Sequence, residues 1–261
     1  MSVFVIITLI VSGLLVGFIN TLAGGGTIIS LSLLMFLGLP APIANGTNRV
    51  AVLFQNLVAF RNFKKNGMFT SAKVLWLAIP VVSGSLLGAK IAVNLNENII
   101  EKAIAVVMII MLVFIVAKPQ QWLKGNEILM TRKYNWVTYV LFFIIGLYGG
   151  FIHVGVGYFL LAALVMNCGF DLIKANAVKI LLVLLYVPFT LVVFVWQKQV
   201  KWEYGLIHAI GNMIGAYFAS KFAVKWGANF VRWVVVVVIL LSVSSLLGII
   251  DISKLIGHLI T

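Results

Sequence analysis

The chain has 261 residues, 63% of them hydrophobic and 10% charged, with a mean hydropathy of +1.16. A soluble domain carries about 25% charged residues, so the composition excludes an ordinary water-soluble globule and indicates several membrane-spanning helices. The formal charge of +13 does not imply a nucleic-acid partner. The basic residues gather in short segments between apolar runs, where they act as topology signals.

The first apolar run, 3–22, has no positive segment before it and no evident cleavage site, so it reads as a retained helix rather than a signal peptide. Further runs follow at 25–38, 41–61, 72–94 and 98–117, and then at 136–153, 156–168, 172–197, 203–224 and 228–250. The spacing predicts a first membrane repeat at 1–117, a polar connector at 118–135 and a second membrane repeat at 136–261. The second run of each half holds 13 or 14 residues, about 20 Å of helix against a hydrocarbon layer of about 30 Å. These two runs are expected to be half-helices or re-entrant segments that begin at glycines.

The halves correspond in detail. Ala23-Gly24-Gly25-Gly26-Thr27 leads to Gly38-Leu39-Pro40 and Ala44-Asn45, and Val154-Gly155-Val156-Gly157-Tyr158 leads to Gly169-Phe170-Asp171 and Ala175-Asn176. Gly24 and Gly155, Gly26 and Gly157, Gly38 and Gly169, and Asn45 and Asn176 all stand 131 positions apart. Gly84-x-x-x-Gly88-Ala89 likewise matches Gly211-x-x-x-Gly215-Ala216, and such pairs let helices approach closely. Duplicated, glycine-broken hydrophobic segments are a signature of transporters.

With ten crossings, twelve basic residues fall on one side and five on the other, which places both termini outside and makes the halves inverted. Joining the first two runs into one broken crossing gives eight helices, parallel repeats and a split of eleven against six. The expected fold is an all-α polytopic membrane protein of 8–10 transmembrane or re-entrant helices in two homologous, inverted repeats. Trp76, Trp136, Trp202 and Trp226 lie near segment ends, as interfacial anchors do.

Few polar groups interrupt the runs. In the first half they include Asn20, Thr21, Thr27, Asn45, Thr47, Asn48, Arg49, Gln55 and Asn56, and in the second His153, Asn176 and Lys179. Each half places a cation three or four positions after an asparagine, on one helical face. Arg49 is about 12 Å into its run, too deep for easy snorkelling. A charge at the membrane centre costs at least about 2.5–3.5 kcal/mol, and no acidic residue lies mid-segment. The missing counter-charge can be a bound anion, carbonyl groups at broken helices, or Asp171. The breaks at Gly24, Gly25 and Gly26 and at Gly155 and Gly157 would expose backbone N–H groups at half-helix starts, where negative charge is favoured. The same glycines could instead make plain interhelical turns.

Cys168 is the only cysteine, which excludes an intramolecular disulfide and a cysteine-based metal cluster. No Ser/His/Asp set, zinc spacing or phosphate loop is present, so neither an enzyme nor a resident cofactor or metal is expected.

The stretches Gly17-Phe18-Ile19-Asn20-Thr21-Leu22-Ala23-Gly24-Gly25-Gly26, Gly38-Leu39-Pro40 and Ala44-Asn45-Gly46-Thr47 resemble the TauE/SafE family. So does the second copy, Gly149-Gly150-Phe151-Ile152-His153-Val154-Gly155-Val156-Gly157 with Ala175-Asn176. His153, Val154 and Val156 depart from the family's small, glycine-containing second stretch. The resemblance implies transport of sulfite, sulfonates or related organic anions across the cytoplasmic membrane by a multi-pass protein. The expected substrate site comprises Arg49, Lys179, Asn45, Asn48, Asn176, Asn20, Thr21 and His153 with the glycines of both breaks. Expected partners are a small anion and membrane lipid, with no nucleic acid; a homo-oligomer is compatible with the sequence. A channel or cation carrier, or an accessory membrane protein without transport, are the rival readings.

Overall fold

Helices form along the apolar runs because inside a bilayer only intrasegment pairing satisfies an isolated segment's backbone groups. The computed structural model describes residues 1–69, 73–95, 126, 129–130 and 134–246; the run expected at 98–117 lies outside them. The described residues form eight helices and no strand: α1 (Val3–Leu22), α2 (Thr27–Phe36), α3 (Ala41–Lys65), α4 (Val74–Val93), α5 (Trp136–Phe151), α6 (Val156–Met166), α7 (Leu172–Trp196) and α8 (Trp202–Leu246). Helices α1, α4 and α7 are long and apolar enough to cross a membrane, whereas α2, α5 and α6 are shorter apolar helices. Side-chain oxygens start three of the helices: Ser2 accepts from the Val5 amide, Asn135 from Thr138, and Asp171 from Ile173 and Lys174.

One expected boundary is absent. The runs 203–224 and 228–250 join in the continuous helix α8, which passes through Gly227 without a break. A lone glycine costs a helix only about 1 kcal/mol. With no proline or second glycine beside it, that penalty does not end the helix.

Helix directions follow from close contacts. The glycine faces of Gly13 and Gly17 meet the His208 and Asn212 carbonyls, while Gly211 and Gly215 meet those of Ile10 and Leu14, so α1 and α8 run parallel. In the other half of the bundle, Gly84 and Gly88 meet the Phe143 and Leu147 carbonyls, and Gly146 and Gly150 meet those of Val81 and Ser85. Helices α4 and α5 are therefore parallel too. A Cβ at any of these eight positions would overlap backbone, which no rotamer change relieves.

Helix α3 runs with α8, since the Lys201 amide donates to Thr47 and Asn62 donates to Ser220. It runs against α7, because Gly46 abuts Phe194 and Gln199 while Arg49 reaches Thr190. Helix α4 accompanies α7: Ser85 lies against Gly150, at the level of Tyr186, and Val93 accepts from Gln199. Thus α1, α3 and α8 point one way and α4, α5 and α7 the other. Lys64, Lys65, Lys73 and Lys174 collect at one face of the bundle, where α3 ends and α4 and α7 begin. The opposite face carries the start of α1, the α2–α3 turn and the α7–α8 turn.

Trp76, Trp136 and Trp202 are exposed at helix starts, whereas Trp226, also exposed, lies inside α8 because the segment end expected beside it is absent. Cys168 is a buried free cysteine.

Candidate functional site

Glycine conformation determines where the short helices start. Gly24 and Gly155 are left-handed, with φ of 89° and 66°, a region that costs other residues about 1–2 kcal/mol. The chain turns sharply at each, ending α1 and starting α2, then ending α5 and starting α6. The two breaks touch: a Cβ on Gly24 would overlap the Gly157 Cα, and one on Gly157 would overlap the Gly24 Cα. Two irregular backbone segments therefore meet in the interior, at the level where α3 and α7 bury their polar residues.

Arg49 and Lys179 are 0% and 2% exposed. Arg49 donates from Nη1 to the Gly149 carbonyl at 3.2 Å and to Thr190 Oγ1 at 3.0 Å. Its Nη2 donates to the Gly150 carbonyl at 2.6 Å and to Asn45 Oδ1 at 3.5 Å. Asn45 Nδ2 donates to the Phe151 carbonyl at 2.9 Å, so the pair covers three successive carbonyls at the end of α5. The guanidinium also lies 4.5 Å from the centre of the Phe194 ring. Lys179 Nζ donates to the Asn20 and Thr21 carbonyls at 3.0 and 2.9 Å, at the end of α1.

Each cation thus comes from one half of the chain and caps a broken helix of the other. This is the carbonyl solution to the buried-charge problem, and it is chemically sensible because a helix C-terminus carries about half a negative charge. Asp171 takes no part: it caps α7 and pairs with Lys174 at 3.3 Å. Among the described residues no carboxylate pairs with Arg49 or Lys179.

The other expected site residues divide into two groups. Asn20 is used locally, its Oδ1 accepting from the Thr27 amide at 3.2 Å and its Nδ2 donating to Thr27 Oγ1 at 3.1 Å, which covers the start of α2. Gly26 packs against Val16 and Asn20, and Gly25 lies beneath the Tyr158 ring. His153 is held at 2.7 Å between its Nδ1 and the Tyr186 hydroxyl. By contrast Asn48 and Asn176 make no side-chain hydrogen bond, and Thr21 Oγ1, Arg49 Nε, Gln55 Oε1 and the Tyr158 hydroxyl are buried without a partner. Buried polar groups are normally satisfied, and these atoms are exceptions to that rule.

Tyr158, Tyr186 and Thr190 were not expected from the sequence, because an isolated hydroxyl in an apolar helix does not stand out. The breaks at least pointed to Tyr158, which follows Gly157 directly. A surface recess of about 490 Å³ lies between the α2–α3 and α7–α8 turns, and one of about 150 Å³ lies beside the start of α5. Neither is lined by Arg49 or Lys179.

Broken helices, buried cations and apolar helices long enough to span are features of a membrane protein of the transporter class. The sequence profile described as "Sulfite exporter TauE/SafE" matches residues 9–246, and the chain belongs to that family. It is 27% identical to "Probable membrane transporter protein ORF9" of Sinorhizobium sp. over 88% of this chain and 87% of that one. It is 26% identical to "Probable membrane transporter protein" of Haemophilus influenzae, over 86% of this chain and 88% of the relative. It is also 27% identical to "Probable membrane transporter protein YfcA" of Escherichia coli strain K12, over 86% and 83% of the two chains. No solved structure matches the chain.

Proposed function

We propose that the protein is a secondary transporter that moves a small anion, sulfite, a sulfonate or a related organic acid, across the cytoplasmic membrane. The observation that carries this reading is the charge balance where the two breaks meet. Arg49 and Lys179 bring two positive charges, and two helix C-termini offset about half a charge each. The starts of α2 and α6 add about half a positive charge each, and the described residues supply no carboxylate pair to either cation. An anion is the simplest occupant of such a field, and the unpartnered Asn48, Asn176 and Tyr158 groups offer it hydrogen bonds.

Alternating access would come from two inverted halves rocking about the Gly24–Gly157 contact. Support for inversion comes from helix direction: α1 and α5 follow equivalent sequence patterns yet point oppositely, as do α3 and α7. Support for duplication comes from the glycine contacts, where Gly13, Gly17, Gly211 and Gly215 repeat the pattern of Gly146, Gly150, Gly84 and Gly88. The face bearing Lys64, Lys65, Lys73 and Lys174 is assigned to the cytoplasm.

The test is flux in vesicles containing the purified protein, with sulfite, sulfate, methanesulfonate and acetate outside and sodium and potassium as cation controls. Saturable uptake of at least one anion is expected. Cation flux alone, or no flux of any solute from correctly inserted protein, overturns the reading.

A further inference from the structure

The two ends of this centre are not equally occupied. An arginine offers five donors, and four donor contacts of Arg49 go to Gly149, Gly150, Thr190 and Asn45. Asn45 spends its own amide on Phe151. At the other end a lysine offers three donors, of which the Asn20 and Thr21 carbonyls take two. Asn176 stands one turn before Lys179 on the same face of α7, fully buried, with both amide atoms unpartnered. The Lys179 stem passes 3.3 Å from the position of a Cβ on Gly157. The next residue, Tyr158, lays its ring over Gly25 and leaves a buried hydroxyl unpartnered, as is Thr21 Oγ1.

We propose that the transported oxyanion is bound at the Lys179 end, by Lys179, Asn176, Tyr158 and Thr21, and that the Arg49 end is a fixed clamp. The proposal rests on the anion-transporter reading and narrows it to one half-site. An ammonium hydrogen, an amide and two hydroxyls suit a ligand with several acceptor oxygens and little bulk, such as a three- or four-oxygen anion. The start of α6 favours the same charge: its amides have no side-chain cap, whereas the start of α2 is capped by Asn20. At the other end Asn45 and Arg49 are spent on the α5 carbonyls, on Thr190 and on each other, with only Arg49 Nε left over.

The test compares Asn176→Ala, Tyr158→Phe and Asn45→Ala in purified protein, measuring melting temperature with and without sulfite. The variants also separate binding from folding. Replacing an unsatisfied buried polar group by an apolar one of the same shape is near neutral or stabilising, so Tyr158→Phe should melt at or above wild type without ligand, and Asn176→Ala should lose no more than the small cavity it leaves. Both should weaken the apparent sulfite affinity about tenfold or more, the loss of one hydrogen bond to a charged group. Asn45→Ala should melt lower without ligand and keep the wild-type sulfite affinity.

Unchanged affinity in both Asn176→Ala and Tyr158→Phe overturns the site and leaves the anion reading intact. Lost affinity in Asn45→Ala at unchanged melting places the anion at the Arg49 end and overturns it equally. Should Asn176→Ala fail to fold, Tyr158→Phe carries the test alone. A wild type that neither binds nor transports sulfite, sulfate or methanesulfonate removes the reading on which the proposal rests.

Discussion

At the end of α5, a planar guanidinium and an amide cover Gly149, Gly150 and Phe151, and Thr190 and Phe194 hold the guanidinium from α7. At the end of α1, a single ammonium covers Asn20 and Thr21, with unpartnered Asn176 nearby on its own helix. Both ends meet the same need, since a helix that stops inside a membrane leaves carbonyls that water cannot reach. They meet it with different surplus. Arginine's rigid fork suits several acceptors at once, while lysine is a point charge on a flexible stem. The first end leaves only Arg49 Nε unpartnered, whereas the second keeps a lysine hydrogen and both amide atoms of Asn176 in reserve.

Breaking the more complete end should have the largest effect. Arg49→Ala strips the Gly149 and Gly150 carbonyls and the Thr190 hydroxyl of a charged donor. Three stranded groups at about 1–3 kcal/mol each, offset by about 2.5 kcal/mol for the buried charge that is removed, give a net loss of up to about 6 kcal/mol. The expected outcome is a collapse in folded yield, read as the monodisperse fraction after detergent extraction. Arg49→Lys keeps the charge but not the fork, and should recover part of that yield. A normal Arg49→Ala yield would show that the clamp contributes little.

Lys179→Met tests the other end. Two carbonyls lose their donor, at about 1–3 kcal/mol each, but the cost of burying a charge of at least about 2.5 kcal/mol is removed as well. The net destabilisation should be at most about 3 kcal/mol, visibly milder than Arg49→Ala in a thermal melt. Sulfite binding should be lost altogether. Equal melting losses at the two ends would erase the distinction between clamp and site.

The glycine interlocks allow a finer comparison. Gly88→Ala would push a methyl onto the Leu147 carbonyl, and Gly215→Ala would push one onto that of Leu14. Overpacking of this kind costs about 1–3 kcal/mol. Because the two contacts repeat one another, the two variants should fall in melting temperature by matching amounts. A large mismatch would weaken the case for structurally equivalent halves.

These contrasts also explain what could be read in the sequence. Arg49, Lys179 and the glycine breaks were conspicuous because charges and glycines are costly inside apolar helices, so they signal a reason for their presence. Carbonyl groups at broken helices are among the partners the sequence allows, but it does not say which carbonyls. Gly149, Gly150, Asn20 and Thr21 act through backbone carbonyls, which every residue has. The spacing from Asn45 to Arg49 correctly put both on one face, but could not show that this face would meet the end of α5. The break expected between the runs 203–224 and 228–250 is absent for the opposite reason, since the one glycine there is too weak to end a helix. Asn48 stands out by residue type and Asn176 also by its match to Asn45, and only the packed structure separates them from the bonded Asn45.

The smallest effects concern the turns that follow the short helices, and there the halves differ again. Gly38 and Gly169 are both left-handed, with φ of 86° and 74°. A Cβ on Gly38 would meet nothing within 4 Å, whereas one on Gly169 would press on Asn126, Leu129 and Met130. The Gly169 carbonyl also accepts from the Asn126 amide at 2.8 Å, which ties the α6–α7 turn to the connector. Gly38→Ala should therefore cost only the left-handed penalty of about 1–2 kcal/mol. Gly169→Ala should cost that and a further steric share, because backbone atoms of Asn126 and Met130 cannot rotate away. Thermal melts of the two variants read the difference directly. A Gly169→Ala melt as mild as that of Gly38→Ala would mean that the connector yields easily, and that the turn is held by its own conformation rather than by the segment packed over it.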